Sequence, residues 1–257
     1  IPTHPRHGLS VDALQLALDT QPVKALVLVP TLSNPLGSCM PQAERKRLVQ
    51  LAAQHGLPVI EDAIYADLAE GDAMRRTLKS YDSSGQVMLC HSFSKTLAPG
   101  LRLGWLEAGR WTAQVRHIKE MQAGGQSAVL ELALADLITQ AGHHAAMRQL
   151  RAAIAVRVDQ ARQVIAQCFP AGTRVSDPPG GLLLWLELPQ GVGAVPLHEA
   201  CLAEQILIPP GRLFGAAGRF PQGVRIGLGG DWTAQHLDAL RRVGEIARHL
   251  LRGAVTV

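Results

Sequence analysis

The chain has 257 residues, of which 47% are hydrophobic, and its formal net charge is +4. This composition supports a sizeable core and excludes a mainly disordered chain, while the small, dispersed charge argues against nucleic-acid binding by these residues themselves. Four widely separated cysteines, no apolar stretch long enough to span a bilayer and no signal peptide predict a cytoplasmic protein with free thiols and no membrane partner.

Strand and helix patterns alternate in the first half of the chain. Leu9–Leu18 has helical spacing with Ser10 as N-cap, and Pro41 begins an amphipathic helix that ends at Gly56. Ala25–Val29 is a continuous apolar run, typical of a strand buried on both faces of a parallel sheet. The other predicted strands are Leu57–Glu61, Val87–His91 and Leu103–Glu107. This order predicts an open α/β sheet that binds ligands outside the carboxyl ends of its strands.

The second half is predicted to be helical first and mixed afterwards. Helical periodicity runs from Trp111 to Cys168 and is interrupted at His143 and His144. We place the boundary there, between a large domain of residues 1–142 and a small α+β domain of residues 143–257. The elements expected in the small domain are strands at Gly180–Leu188, Ile206–Ile208 and Val224–Leu228, and a helix from Thr233 to about Leu251.

The stretch Ser92–Arg102 places two hydroxyls, an amine and a guanidinium directly after a buried strand. Partial desolvation there would favour the neutral amine of Lys95, which is a nucleophile for a carbonyl carbon. Ser92, Ser94 and Arg102 carry groups that bind a phosphate. A reactive lysine beside phosphate-binding groups indicates pyridoxal phosphate; the alternative is a strand followed by a solvated basic turn.

Further polar side chains lie at other predicted strands. Asn34 is in the loop after the first strand, Asp62 and Tyr65 follow the second, and Arg225 is in the last strand of the small domain. A carboxylate can hold a pyridine nitrogen protonated, an amide or phenol can donate to a ring oxygen, and an arginine can hold a carboxylate. Taken singly, each residue is equally compatible with a turn, a helix cap or a surface position; their joint order indicates one site.

From Ile1 to the C-terminal helix, the chain resembles the fold-type I pyridoxal-phosphate aminotransferases of class I/II. The motifs that carry the resemblance are Ser33–Gly37, Glu61–Tyr65, Ser92–Arg102 and Val224–Ile226. The resemblance implies a fold-type I transferase-like α/β fold with a mostly parallel sheet in the large domain.

The resemblance also implies roles for single residues. It makes Lys95 the Schiff-base lysine, Asp62 the partner of the pyridine nitrogen, and Tyr65 and Asn34 the contacts of the ring oxygen. The phosphate ligands that it implies are Ser92, Ser94 and Arg102. The substrate carboxylate is assigned to Arg225, with Asn34 beside it.

Within this superfamily, Ser92–Trp105 is most similar to the MocR subfamily of GntR-type transcriptional regulators, in which a winged-helix DNA-binding domain precedes an aminotransferase-like domain. Asn34–Pro41 and Pro179–Leu182 support the same group. The implied function is sensing of an amino-acid-like effector through an internal aldimine at Lys95, in a homodimer that contacts DNA only through the upstream domain. 2-Aminoadipate-type aminotransferases share much of this sequence. The alternative is therefore a class I/II aminotransferase acting on an amino acid and a 2-oxo acid, and enzymatic activity is left open.

The chain departs from the family pattern in two ways. Ala63 stands where many relatives have an acidic residue, although the Asp62-x-x-Tyr65 spacing is kept. The family's phosphate-binding turn and ring-stacking aromatic residue lie before Ile1, and the chain does not begin with methionine. We therefore expect an N-terminally truncated large domain, weak or absent binding of pyridoxal phosphate, and an inactive chain.

The remaining motifs predict no competing site. His143 and His144 are adjacent on a helix, point apart and have no partner at ligand spacing, so no metal is predicted. Gly227–Gly230 lacks the spacing of a nucleotide loop, and no Gly-x-Ser-x-Gly nucleophile elbow occurs.

Overall fold

The computed structural model describes residues 1–123, 125–215 and 218–255. It contains two compact units, one of residues 1–33 and 38–151 and the other of residues 34–37 and 152–257. The change from the first unit to the second falls inside one long helix, Gly142–Cys168. The division into domains 1–142 and 143–257 stays a prediction.

Two sheets form in the first unit. A short hairpin pairs β1 (Thr3–His4) with β2 (Gly8–Leu9). Within the described residues, the main sheet has four strands, which in spatial order are β3 (Leu26–Leu28), β4 (Val59–Asp62), β5 (Val87–Ser92) and β6 (Gly104–Glu107). β4 is parallel to β3 and to β5, whereas β6 is antiparallel to β5. The predicted mostly parallel α/β sheet is confirmed.

The helices of the first unit begin and end near their predicted positions where the caps are clear. Ser10 Oγ accepts a hydrogen bond from Ala13 N–H at 3.2 Å and caps the first helix, as predicted. Pro41 precedes the second helix, and Gly56 has a φ of +61° just beyond its end. The helices are α1 (Val11–Thr20), α2 (Gln42–Gln54), α3 (Asp72–Arg75), α4 (Thr112–Ala123), α5 (Ala128–Thr139) and the first turns of α6 (Gly142–Cys168).

The core of this unit packs α1 and α2 against the parallel strands. Its most buried apolar side chains are Val11, Leu14, Met40, Leu48, Ala52, Leu57, Val59, Leu78 and Val87. The prediction that β3 is buried on both faces is wrong, because Val27 is 68% exposed. β3 has the burial pattern of a strand covered on one face, since Leu26 is buried and Leu28 is partly buried, whereas Val27 between them points to the other face and is exposed.

The helical region at the end of the first unit is interrupted earlier than predicted. Gln140 caps the end of α5, and His143 and His144 lie in the first turn of α6 instead of separating two helices. Their rings are 6.0 Å apart and tilted by 55°. No group of three His, Cys, Asp or Glu residues in the described part of the chain could hold a metal ion.

The second unit contains an antiparallel sheet of β7 (Arg174–Val175), β8 (Leu183–Glu187) and β9 (Gly223–Gly227). The end of α6, an unpredicted helix α7 (Ala194–Ala203) and α8 (Ala234–Val255) belong to the same unit. The strand predicted at Ile206–Ile208 is wrong. There the chain has no strand, and the neighbouring Pro210 forms an isolated bridge to Val224.

One apolar core joins these elements of the second unit. Its most buried members are Ala161, Leu184, Leu186, Val192, Leu197, Cys201, Val224, Leu228, Val243 and Ala247. Among the residues that the structure describes, no helix is long and apolar enough to cross a membrane.

Candidate functional site

Asp62 is the last residue of β4 and lies opposite Cys90 of β5. Its Oδ1 accepts a hydrogen bond from the Ile64 N–H at 3.0 Å, so the carboxylate turns the chain out of the strand. Tyr65 follows and is 8% exposed, directly before a 3-10 helix at Ala66–Leu68. The predicted Asp-x-x-Tyr pair therefore lies at the carboxyl end of a sheet strand.

Ser92 ends β5 and caps the short 3-10 helix Phe93–Lys95. Its Oγ accepts from the Ser94 N–H at 3.2 Å, and it lies 3.0 Å from Ser94 Oγ and 3.4 Å from the Leu103 carbonyl oxygen. The two hydroxyls are thus held side by side at the end of the strand. Each hydroxyl can donate a hydrogen bond, and two donors at hydrogen-bonding distance from each other suit a multivalent anion.

Lys95 is exposed, and it makes no hydrogen bond or ion pair with any residue that the structure describes. The prediction that this amine is partly desolvated is therefore wrong for the chain as it stands. The reason is local, because Lys95 lies on the turn beyond β5 and not inside the buried part of the strand.

Arg102 has a backbone conformation that side-chain-bearing residues rarely adopt. Its φ is +52° and its ψ is +31°, at the end of the 3-10 helix Pro99–Leu101 and just before β6. Such backbone strain persists only where the surrounding structure holds it, and strained residues cluster at functional sites. The left-handed turn directs the chain back along β5.

Gly104 is a site-supporting residue that the sequence analysis missed. It pairs with Ser92 across the β5–β6 ladder, and a Cβ placed on it would lie 2.4 Å from the His91 carbonyl oxygen. Only glycine permits this close approach next to Ser92. The glycine in the Leu103-Gly104-Trp105 segment is the signal that could have identified it.

Two further missed residues are buried charges below the strand ends. Glu61 is 1% exposed, and its carboxylate accepts hydrogen bonds from the Leu78 N–H at 2.8 Å and the Lys79 N–H at 2.9 Å. Burial raises the pKa of Glu61, while these two bonds and the nearby Arg45 act to lower it. A carboxylate directly before Asp62, inside an apolar segment, was the available signal.

Arg45 is fully buried and ties together both ends of the loop that carries Asn34. Its Nε donates to the Met40 carbonyl oxygen at 2.8 Å. Its Nη2 donates to the Pro30 carbonyl oxygen at 3.1 Å and to Thr31 Oγ1 at 2.8 Å, and its Nη1 donates to the Arg76 carbonyl oxygen. Nothing in the spacing of α2 distinguishes this arginine from its exposed neighbours.

In the second unit, Asn34 and Arg225 are brought together. Arg225 Nη1 donates a hydrogen bond to Asn34 Oδ1 at 2.9 Å. The Asn34–Pro35 peptide bond is cis, and Gly37 packs closely on Pro178, where a Cβ would come within 2.8 Å. The short segment 34–37 is thus part of the second unit, although β3 and α2 on either side of it belong to the first.

Among the described residues, Asn34 is the side chain that is hydrogen-bonded to the Arg225 guanidinium. Its Cζ lies 4.7 Å from the centroid of the Phe214 ring, which was not predicted to belong to the site. Its Nε is buried and has no hydrogen-bond partner among the described residues. An arginine held at one corner and stacked on one face, with an unpaired buried donor, suits a carboxylate ligand.

The predicted site residues therefore fall into two sets, each within one unit. The first unit carries Asp62, Tyr65, Ser92, Ser94, Lys95 and Arg102, and the second carries Asn34 and Arg225. All of the first set lie at or just after the carboxyl ends of β4 and β5, or at the start of β6.

Comparison with known proteins gives a consistent family. A model of the family "Aminotransferase class I and II" matches residues 1–242. The HTH-type transcriptional regulators YjiR and YdcR of Escherichia coli K12, both described as uncharacterized, are 35% and 32% identical over 95% and 98% of this chain. This chain spans 52% and 54% of their lengths, about half of each.

Aminotransferases are also similar. The 2-aminoadipate transaminase of Thermus thermophilus is 28% identical over 95% of this chain and 62% of its own length. The crystal structure of LysN, an α-aminoadipate aminotransferase from Thermus thermophilus complexed with N-(5'-phosphopyridoxyl)-L-leucine, matches with a TM-score of 0.88 at 27% identity. That match covers 98% of this chain and 65% of LysN. The predicted fold-type I transferase-like fold and the resemblance to aminotransferase-like regulators are confirmed, and the chain belongs to the aminotransferase class I and II family.

Proposed function

We propose that this chain is the effector-sensing, aminotransferase-like part of a GntR/MocR-type transcriptional regulator, and that the effector is an amino acid or a close analogue. The observation that carries the proposal is the Asn34–Arg225 pair, in which the buried Nε of Arg225 has no hydrogen-bond partner among the described residues. The higher identity to two HTH-type regulators than to the aminotransferases supports the regulator over the enzyme.

The residues of the first unit fit pyridoxal phosphate by their donor chemistry. The paired hydroxyls of Ser92 and Ser94 and the guanidinium of Arg102 would hold the phosphate. Asp62 would face the pyridine nitrogen, where a carboxylate keeps that atom protonated. When bound, the cofactor supplies an aldehyde that reacts with amines and a ring that withdraws electrons.

The remaining residues of the proposed site orient the ligand or move protons. The exposed amine of Lys95 has no competing partner among the described residues, so it is free to react with a carbonyl carbon and to exchange protons there. Tyr65 would donate its hydroxyl proton to the ring oxygen, and Asn34 is proposed for the same oxygen from the family resemblance. An amino acid carries an amine and a carboxylate, the two groups that Lys95 chemistry and Arg225 recognise.

Borohydride trapping tests the assignment of the reactive lysine. The chain is incubated with excess pyridoxal phosphate, reduced and digested, and the pyridoxyl group is located by mass spectrometry. We expect it on Lys95, with labelling lost in Lys95→Arg and retained in Lys119→Arg. A pyridoxyl group found on Lys24 or Lys119, with Lys95 unmodified, would contradict the proposal.

A working class I/II aminotransferase of the 2-aminoadipate type is the second candidate function. The observation in its favour is the TM-score of 0.88 with LysN over nearly the whole chain. Both functions need the same amine and carboxylate groups, so the residues of the site do not separate them.

Measurements on the gene product that contains this chain separate the regulator from the enzyme. We propose that it acts as a homodimer and contacts DNA through a helix-turn-helix domain of the kind named for the similar regulators. Operator affinity is measured at fixed salt, with and without pyridoxal phosphate and a panel of amino acids. Affinity that changes with the amino acid supports the regulator; sustained transamination without specific DNA binding establishes the enzyme instead.

A further inference from the structure

Arg225 lies at the edge of an aromatic cluster in the second unit. Phe214 is the last residue of the 3-10 helix Gly211–Phe214, and its ring meets Trp185 edge to face at 6.1 Å and 85°. Phe220 meets the same Trp185 edge to face at 5.1 Å and 74°. Trp185 is 3% exposed and lies opposite Arg225 in the β8–β9 ladder. The ring under the guanidinium is therefore anchored to the core of the unit.

Two glycines allow the backbone to pack closely around this aromatic cluster. A Cβ on Gly223 would lie 2.0 Å from Trp185 Cζ2, so the indole packs directly on the backbone of β9. A Cβ on Gly211 would lie 2.3 Å from the Phe220 carbonyl oxygen, so the 3-10 helix packs equally closely against the segment before β9. These contacts leave the Phe214 ring little freedom to move away from Arg225.

The stack has a consequence for carboxylate recognition. A carboxylate accepts two parallel N–H bonds only when it lies in the plane of the guanidinium. The Arg225 Cζ lies over the Phe214 ring, 4.7 Å from its centroid, and Asn34 accepts from one corner of the guanidinium at 2.9 Å. Together the ring and the amide fix the plane and its rotation, so the remaining N–H groups are directed before a ligand arrives.

We propose that Phe214 is a positioning residue, which presets the Arg225 guanidinium and so sets the preference of the second unit for ligands that carry a carboxylate. This inference rests on the proposed role of Arg225 as the carboxylate ligand. Phe214 acts through the guanidinium, and the loss of its cation–π contact should lower that preference roughly 2- to 30-fold.

Side-chain NMR tests, without any ligand, whether Phe214 restrains the orientation of the Arg225 guanidinium. In chain labelled with ¹⁵N-arginine, the Arg225 signals are assigned as those missing from Arg225→Lys. We expect Phe214→Leu to speed rotation of the Arg225 guanidinium, whereas Phe220→Leu leaves it slow, because the ring contacts described for Phe220 are with Trp185 and Arg219. Unchanged rotation in Phe214→Leu, or equal acceleration in Phe220→Leu, would overturn the proposal.

Calorimetry with two matched probes tests the consequence for binding. The probes are N-(5'-phosphopyridoxyl)-L-leucine and the corresponding adduct of 3-methylbutylamine, which lacks only the carboxylate. We expect the ratio of their affinities to fall in Phe214→Leu and to stay at the wild-type value in Phe220→Leu. Thermal unfolding of both variants controls for a general loss of packing, which would weaken both probes alike.

The outcomes separate this proposal from the proposed function. A wild-type chain that binds both probes equally, or an Arg225→Lys variant that keeps the preference, refutes Arg225 as the carboxylate ligand. A preference that is lost in Arg225→Lys but kept in Phe214→Leu refutes only the positioning role. If neither probe binds measurably, the rotation rates alone decide whether Phe214 presets the guanidinium.

Discussion

Replacing Arg45 by methionine should be among the most destabilising single changes in the first unit. The side chain is fully buried and donates four hydrogen bonds, three to backbone carbonyl oxygens and one to Thr31 Oγ1. Methionine fills similar volume but leaves these acceptors and the carboxylate of Glu61 without their cation. Breaking a buried charge network in this way costs about 3–5 kcal/mol.

Arg47→Met is the matched control on the same helix. Arg47 pairs with Asp12 and Glu44 at the surface, where its side chain is 42% exposed, so its loss should cost less than about 1 kcal/mol. Urea unfolding followed by circular dichroism measures both variants; with a slope of roughly 2–3 kcal/mol/M, Arg45→Met should lower the midpoint by roughly 1–2.5 M. Equal midpoints for the two variants would refute the reasoning.

Three further predictions concern titration, packing and thiol reactivity. Burial would raise the pKa of Asp82, but hydrogen bonds from the Val87 N–H and its neighbours outweigh it and hold the pKa below the ordinary 3.8. The ionised Asp82 therefore stabilises the fold above the ordinary pKa of 3.8, and this contribution is lost as the pH falls through the lowered pKa. The difference in unfolding free energy between wild type and Asp82→Asn should shrink in acid; a constant difference would contradict this. Gly223→Ala should displace Trp185, because the added Cβ has no room beside the indole; we expect a red-shifted tryptophan emission and a lower melting temperature in thermal scans. An unshifted spectrum with wild-type stability would show that the sheet adapts. Burial raises the pKa of Cys201 to about 11, so iodoacetamide at neutral pH should label it far more slowly than the partly buried cysteines, as peptide mass spectrometry will report; equal rates would argue against the burial.

The sequence predicted those features that depend on local spacing. Ser10 was identified as a helix cap from its position before the apolar pattern, and the cap bond is present. The strands β4 and β5 were placed to within two residues at each end from short apolar runs. Since polar residues after such strands lie at one edge of the sheet, Asp62 and the pair Ser92 and Ser94 were located correctly at strand ends.

Other features could not be predicted because they depend on contacts distant in sequence. Arg45 has the same local pattern as Arg47, and only the packing of α2 against the loop residues Pro30 and Met40 makes it a buried clamp. The exposure of Lys95 depends on where β5 ends relative to its turn. The antiparallel direction of β6 depends on the return of the chain at Arg102.

The sequence by itself indicated the family, the class of cofactor to consider and the residues proposed to carry the chemistry, because side-chain type and motif spacing are properties of the chain. Only the tertiary structure decided that Asn34 holds one corner of Arg225 across 191 positions, with Phe214 under its face. The physical reason is that hydrogen bonds and ring stacking depend on distances of a few ångströms. Those distances are set when the sheet and its loops pack, and residue order alone does not contain them.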